Sequence, residues 1–132
     1  ESSMRSLIVE DEFTSRMQLK HFLEEHGSCD TAANGVEAVE AYKQASFARK
    51  PYALVCLDIN LPDKSGLEVL VDIRKFELYQ GASQGAAKIF MTTADSTPAA
   101  VSDAIGLCNE YLVKPVEKKK LTERLLKHGL IK

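Results

Sequence analysis

Residues 52–58 read Tyr-Ala-Leu-Val-Cys-Leu-Asp, an unbroken apolar run closed by a carboxylate. A strand that alternates apolar and polar residues has one wet face. A run with no polar alternation is covered on both faces, as in a parallel sheet sandwiched between helices. Tyr52 to Leu57 is therefore predicted as a doubly buried strand, with Asp58 just beyond its carboxyl end. On either side of it, short apolar runs alternate with stretches of helical period.

Upstream, Leu7-Ile8-Val9 is predicted as a first strand, stopped by Glu10-Asp11-Glu12. The spacing predicts a helix over Phe13 to His26, with Leu19, Phe22 and Leu23 on one face and Gly27 as its C-cap. Cys29 to Ala33 is a weaker second strand, and Asn34-Gly35 opens a helix carrying Ala38, Val39 and Tyr42. Downstream, Asn60 to Ser65 forms a loop containing Leu61-Pro62. Gly66 leads into a third helix striped by Leu67, Leu70 and Val71, fading near Leu78. Tyr79 to Ala87, with Gly81 and Gly85, reads as a long loop. Ile89-Phe90-Met91 is a fourth strand ending in Thr92-Thr93-Ala94-Asp95. Thr97 caps and Pro98 begins a helix with Val101, Ala104 and Ile105 on its apolar face. Tyr111-Leu112-Val113 is a fifth strand, closed by Lys114-Pro115. The last helix starts near Val116 or Glu117 and carries Leu121 and Leu125.

The order is (βα)5. Right-handed helical crossovers between parallel strands give an α/β fold of three αβα layers. Of the doubly wound parallel sheets, five strands suit the flavodoxin-like order 2-1-3-4-5. Ligands in such sheets bind beyond the carboxyl ends of strands, at the switch point between strands 1 and 3.

The 132 residues fit one domain, taken as 4–130, with Glu1, Ser2 and Ser3 set aside as an expression remnant or frayed start. A hydrophobic fraction of 45% and a charged fraction of 27% are those of a globular, water-soluble chain, and a cytoplasmic location is expected. Net charge is −2, so no basic field points to nucleic acid or to a membrane surface, and no apolar run reaches bilayer length. Cys29, Cys56 and Cys108 are odd in number and widely spaced, which reads as reduced thiols rather than a disulfide framework.

The residues just past the strand ends carry the chemistry. Strand 1 delivers Glu10 and Asp11, strand 3 Asp58, strand 4 Thr93 and strand 5 Lys114. Taken singly, each has a plainer reading: helix-start acids, a turn aspartate, a strand threonine, a solvated lysine. Together they put three carboxylates, a hydroxyl and an ammonium on one sheet edge. Three adjacent carboxylates repel unless a cation lies among them. A few hard oxygen ligands suit Mg²⁺, which completes its shell with water and phosphate oxygens; Mn²⁺ can substitute. An ionised carboxylate can itself be the nucleophile, giving an aspartyl phosphate. Lys114 would neutralise the transferring phosphoryl group, and Thr93 would donate a hydrogen bond to it.

The segments LIVEDE (7–12), LVCLDINLPDKSG (54–66), MTTAD (91–95) and YLVKPV (111–116) resemble the four signature segments of response-regulator receiver domains in two-component phosphorelays, in order and across nearly the whole chain. The resemblance implies that Asp58 is the phosphoacceptor. It implies that Asp11, Asp58 and the Asn60 main-chain carbonyl ligate Mg²⁺, with Glu10 acting through water. Thr93 becomes the switch hydroxyl, beside Ala94, which leaves room for the phosphoryl group. Tyr111 becomes the switch aromatic, Lys114 the phosphate-binding lysine, and Pro115 the site of a cis peptide. Asn60 and Asp95 flank the phosphate entrance and are expected to tune its lifetime. The implied donor is a histidine kinase or histidine phosphotransfer protein, and some relatives use small acyl phosphates. The implied output is a changed surface of the fourth helix, fifth strand and fifth helix, read by a downstream protein or output domain, with phosphorylation-linked dimerisation as an option. Cys108-Asn109-Glu110 departs from the small residues usual before the switch aromatic and is expected to alter that surface.

A signalling phosphoacceptor rather than an enzyme is the reading the residues favour. An aspartyl-phosphate phosphatase wants a carboxylate two residues after its nucleophile, where this chain has Asn60. A flavin module wants a phosphate cradle after strand 1, where this chain has three acids. A partner-binding pseudo-receiver would lack an Asp or the Lys.

Overall fold

A computed structural model describes residues 4–81, 86–94 and 106–132. Its elements are β1 (Ser6–Val9), α1 (Phe13–Leu23) with a 3-10 turn (Glu24–His26), β2 (Cys29–Ala32), α2 (Gly35–Phe47), β3 (Leu54–Asp58), α3 (Gly66–Tyr79), β4 (Lys88–Thr93), β5 (Glu110–Val113) and a C-terminal helix, α4 (Lys118–Lys127). The helix expected from Thr97-Pro98 lies outside the described residues, as do Asp95 and residues 82–85 of the expected long loop.

All five strands are parallel, in the order β2-β1-β3-β4-β5. This is the doubly wound, flavodoxin-like sheet. Side chains alternate across it and build two cores. Leu7, Val9, Val55, Leu57 and Met91 pack with Val69, Leu70 and Ile73 of α3. Ile8, Leu54, Cys56, Phe90 and Leu112 pack with Leu19 of α1 and with Leu121 and Leu125 of α4. Leu54, Val55, Cys56 and Leu57 are at most 1% exposed. Each side chain buried to that degree contributes roughly 2 kcal/mol. The strand bearing Asp58 is thereby held from both faces.

Several boundaries differ from expectation. The α-helix ends at Leu23 and tightens into the 3-10 turn. Gly27 serves close approach rather than a left-handed cap: at φ 154° its backbone lies against Met4, where a Cβ would sit 1.8 Å from the Met4 carbonyl oxygen. β3 starts at Leu54 and includes Asp58, which registers with Thr92. Tyr52 lies outside the ladder, its hydroxyl bonding Asp30 at 2.6 Å and its ring lying under Arg5. The buried stripe of α3 is Val69, Leu70 and Ile73, whereas Val71 is only half-buried.

Two connections matter for the site. The β3–α3 loop reaches the start of α2, where both Asp63 carboxylate oxygens accept backbone N–H groups, from Gly35 and Val36, at 2.8 Å each. Gly66, the first residue of α3, packs on the backbone of Asp58 and Ile59.

Asn109 and Glu110, expected to alter the surface around the last strand and helix, are half-buried and paired there. Asn109 Oδ1 accepts from the Ile89 N–H at 2.8 Å and from Arg74 at 3.0 Å. Glu110 meets Arg124 (3.2 Å), Lys127 (3.0 Å) and His128 (2.7 Å), tying β5 to α4. Burial pushes the Glu110 carboxyl up, but hydrogen bonds from His128 and Lys127 and the nearby cations outweigh it and hold it below its ordinary value of 4.5. A depressed carboxyl contributes stability that is present above the unfolded pKa and is lost as pH falls through the folded one. Glu110→Gln is therefore expected to unfold at a lower temperature than wild type at pH 6, with the gap closing as pH falls below 4.5. Calorimetry across that range checks it; a constant gap contradicts it.

Candidate functional site

The switch point between β1 and β3 gathers the acids. Glu10 follows β1, and its N–H donates to the Ala32 carbonyl at 3.0 Å. Its carboxylate turns inward and is 1% exposed, with Oε2 accepting the Glu12 N–H at 3.2 Å. Asp11, the next residue, is exposed. Glu12 caps α1, accepting from the Ser15 and Thr14 N–H groups at 2.7 and 3.3 Å. A carboxylate at a helix start is stabilised by the orphan amides there.

Asp58 ends β3 and is 3% exposed. Its Oδ1 accepts the Asn60 N–H at 3.1 Å and its Oδ2 accepts from Lys114 Nζ at 2.9 Å. Lys114 leaves β5 with its N–H on the Thr93 carbonyl at 2.7 Å, and the Lys114–Pro115 peptide is cis. The same ammonium stands 2.6 Å from Glu10 Oε1. One cation thus serves two buried carboxylates, leaving the inner group one negative charge in excess before Asp11 is counted.

The ionisation equilibria reflect that imbalance. Burial is the largest influence on Glu10 and raises its carboxyl; Lys114 pulls it back and the Asp58 charge raises it again, for a net rise above the ordinary value. Burial alone would lower Lys114, but its bonds to Glu10 and Asp58 outweigh it, and the ammonium is held above its ordinary value.

Carboxylate oxygens of Glu10, Asp11 and Asp58 lie within 4.8 Å of one another. Glu10 Oε1 is buried and has the Lys114 ammonium 2.6 Å away. Three clustered carboxylates against one ammonium, with only hard oxygen donors, fit a small divalent cation that brings its own water.

The remaining candidates sit around this centre. Thr93 is fully buried at the end of β4, Ala94 is exposed beyond it, and Asn60 is exposed beyond Asp58. Met91 pairs with Tyr111 and Thr93 with Val113, so alternation puts Thr93 and the half-buried Tyr111 on one face. Thr92, in register with Asp58 and Leu112, belongs to the opposite face. The histidines lie elsewhere: His128 is on Glu110, His21 near Glu24 and His26 near Glu25. Among the described residues no helix is long and apolar enough to cross a membrane.

The family model described as "Response regulator receiver domain" matches residues 6–126. The chain is a response-regulator receiver domain. The receiver is 33% identical to response regulator mcs4 of Schizosaccharomyces pombe over 89% of its own length, and it spans 27% of that relative. In structure it resembles the receiver domain of Saccharomyces cerevisiae Ssk1, co-crystallised with the histidine phosphotransfer protein Ypd1, with TM-score 0.85, 33% identity, and 96% and 89% of the two chains covered. It also resembles response regulator protein TrrA of Thermotoga maritima, solved in complex with Mg²⁺-BeF, with TM-score 0.74, 38% identity, and 94% and 97% covered. The receiver is thus a two-component signalling domain.

Reading the sequence alone gives no role to Glu12, Arg16 or Asp63. Glu12 was legible as an N-cap before a helix, and Asp63 as a turn acid after Pro62. Arg16 carries no local signal, because its partners are main-chain carbonyls of a preceding loop.

Proposed function

We propose that the receiver takes a phosphoryl group on Asp58 from a phosphohistidine donor, in a Mg²⁺-dependent reaction, and signals through the resulting change of surface. The observation that carries this reading is the buried Asp58 carboxylate, bonded to Lys114 at 2.9 Å and clustered with two further carboxylates. An Asp58 oxygen attacks phosphorus, the O–P bond forms, the P–N bond to the donor imidazole breaks, and the imidazole leaves with its electron pair and takes a proton. Asp11, Asp58 and the Asn60 main-chain carbonyl would hold Mg²⁺, with Glu10 reached through water. Bound there, Mg²⁺ supplies neutralisation of the charge on the transferring group.

Lys114 then follows the charge. It holds Asp58 in this state and shifts to a phosphoryl oxygen once the carboxylate is esterified. Thr93 donates its hydroxyl to another oxygen, with Ala94 leaving space, and Tyr111 on the same face follows Thr93. Asn60, exposed just beyond Asp58, borders the entrance, and Asn60 and Asp95 set the lifetime of the phosphate. The likeness to a receiver solved with Ypd1 supports a histidine phosphotransfer protein or histidine kinase as donor.

Two donors test the proposal: acetyl phosphate with Mg²⁺, and a phosphorylated histidine phosphotransfer protein with Mg²⁺. The expected result is an acyl-phosphate adduct, abolished by EDTA, on the peptide containing Asp58. No adduct from either donor, or an adduct on another residue, overturns the proposal.

A further inference from the structure

Asp11 is the exposed member of the acidic cluster. Where its Cα–Cβ bond points, and so the space its carboxylate can reach, depends on the two peptide planes that flank its Cα. Both planes are gripped by one group. Arg16 Nη1 donates to the Glu10 carbonyl at 2.8 Å and to the Asp11 carbonyl at 3.2 Å. The Glu10 carbonyl belongs to the plane before Asp11 and the Asp11 carbonyl to the plane after it.

Arg16 is itself held. It lies in the first turns of α1, its own N–H bonds the Glu12 carbonyl at 3.0 Å, and its guanidinium lies over the Phe13 ring at 5.5 Å. Glu12 fixes that turn from the other side by capping α1. The β1–α1 loop is thereby stapled to the helix it precedes.

We propose that Arg16 is a positioning residue for the divalent-cation site, acting on Asp11 through the main chain rather than touching the cation. The inference rests on the reading of Glu10, Asp11 and Asp58 as a Mg²⁺ site. It runs against simple electrostatics. A cation beside three carboxylates competes with Mg²⁺, so on charge alone its removal should tighten Mg²⁺ binding. If Arg16 orders Asp11, its removal weakens binding in spite of the lost repulsion. Outer groups that orient ligands are worth 10- to 100-fold in affinity in metal sites generally.

The experiment measures Mg²⁺ affinity by calorimetric titration for wild type, Arg16→Met and Arg16→Lys, with metal-free thermal unfolding as the check on folding. Arg16→Met keeps the aliphatic stem and loses donor and charge. Arg16→Lys keeps the charge on a shorter, non-forked head. Both are expected to bind Mg²⁺ about tenfold more weakly. Mg²⁺ binding as tight as wild type, or tighter, in Arg16→Met overturns the positioning role. Should Arg16→Met fail to fold, Arg16→Lys decides: unchanged affinity there makes Arg16 a mere charge. Failure of wild type to bind Mg²⁺ would instead remove the reading on which the inference rests.

Discussion

Asp58→Asn is expected to abolish Mg²⁺-dependent phosphoryl uptake while leaving the metal-free protein as stable as wild type, or about 1 kcal/mol more stable. The first half follows from chemistry. The amide is of similar size and keeps one oxygen, which can still accept from Lys114, while its NH2 replaces the oxygen that took the Asn60 N–H, so one hydrogen bond from an exposed loop residue is given up and the pocket keeps its shape. The amide carries no negative charge and is a poor nucleophile, so no acyl phosphate forms.

The second half follows from charge counting inside the pocket. Removing one partner of a buried ion pair normally costs several kcal/mol, because the survivor is stranded. Lys114 is not stranded here, since Glu10 remains 2.6 Å away. Wild type has two buried carboxylates for one ammonium, and the variant has one of each. The Asp58 charge that raises Glu10 is gone, and the inner cluster becomes neutral. Addition of Mg²⁺ should raise the melting temperature of wild type by ligand linkage and that of Asp58→Asn hardly at all. Differential scanning calorimetry with and without Mg²⁺ reads both effects. A variant strongly destabilised without Mg²⁺ would mean that Asp58 is a structural partner of Lys114 first.

The second large effect concerns a residue without a side chain. Gly66→Ala is expected to cost about 3 kcal/mol and to weaken Mg²⁺ binding as well. A Cβ at position 66 would lie 2.1 Å from the Asp58 carbonyl oxygen and 2.8 Å from the Ile59 Cα. These are backbone atoms at the end of a strand buried on both faces, so neither can swing aside as a flexible side chain could. Gly66 N–H also donates to the Ile59 carbonyl at 2.7 Å, which fixes the start of α3 against this corner. Alanine is the better helix former by up to about 1 kcal/mol, and that gain is too small to offset the clash. Relief requires α3 to move away from β3, or the chain at Asp58 to shift, and the second disturbs the carboxylate cluster directly. Chemical denaturation gives the stability and calorimetric titration the Mg²⁺ affinity. A variant as stable as wild type would show that the corner is looser than its geometry states.

The strands and their order were legible because burial on two faces leaves a direct mark on composition. Residues 54–57 have no polar member, and the helices beside them keep a 3.6-residue stripe. The acidic, hydroxyl and lysine residues at strand ends were legible for the same reason, since each interrupts an apolar run where the chain leaves the sheet. Strand ends were misplaced by a residue or two at Tyr52, Asp58, Thr93 and Glu110, because ladder pairing depends on neighbours distant in sequence. The partners of Asn109 and Glu110 were not legible, because Arg74, Arg124, Lys127 and His128 lie far from them in sequence and only the fold brings them close.

By itself, then, the sequence determined the alternation of strands and helices, the parallel sheet and the set of residues at its carboxyl edge. Those follow from periodicity and hydrophobic burial, which are local along the chain. Only the tertiary structure decided that one ammonium is shared between Glu10 and Asp58, that Glu10 is buried while Asp11 is exposed, and that Arg16 grips the backbone on both sides of Asp11. Hydrogen bonds and charge balance act over a few ångströms, and only the folded chain sets which groups come that close.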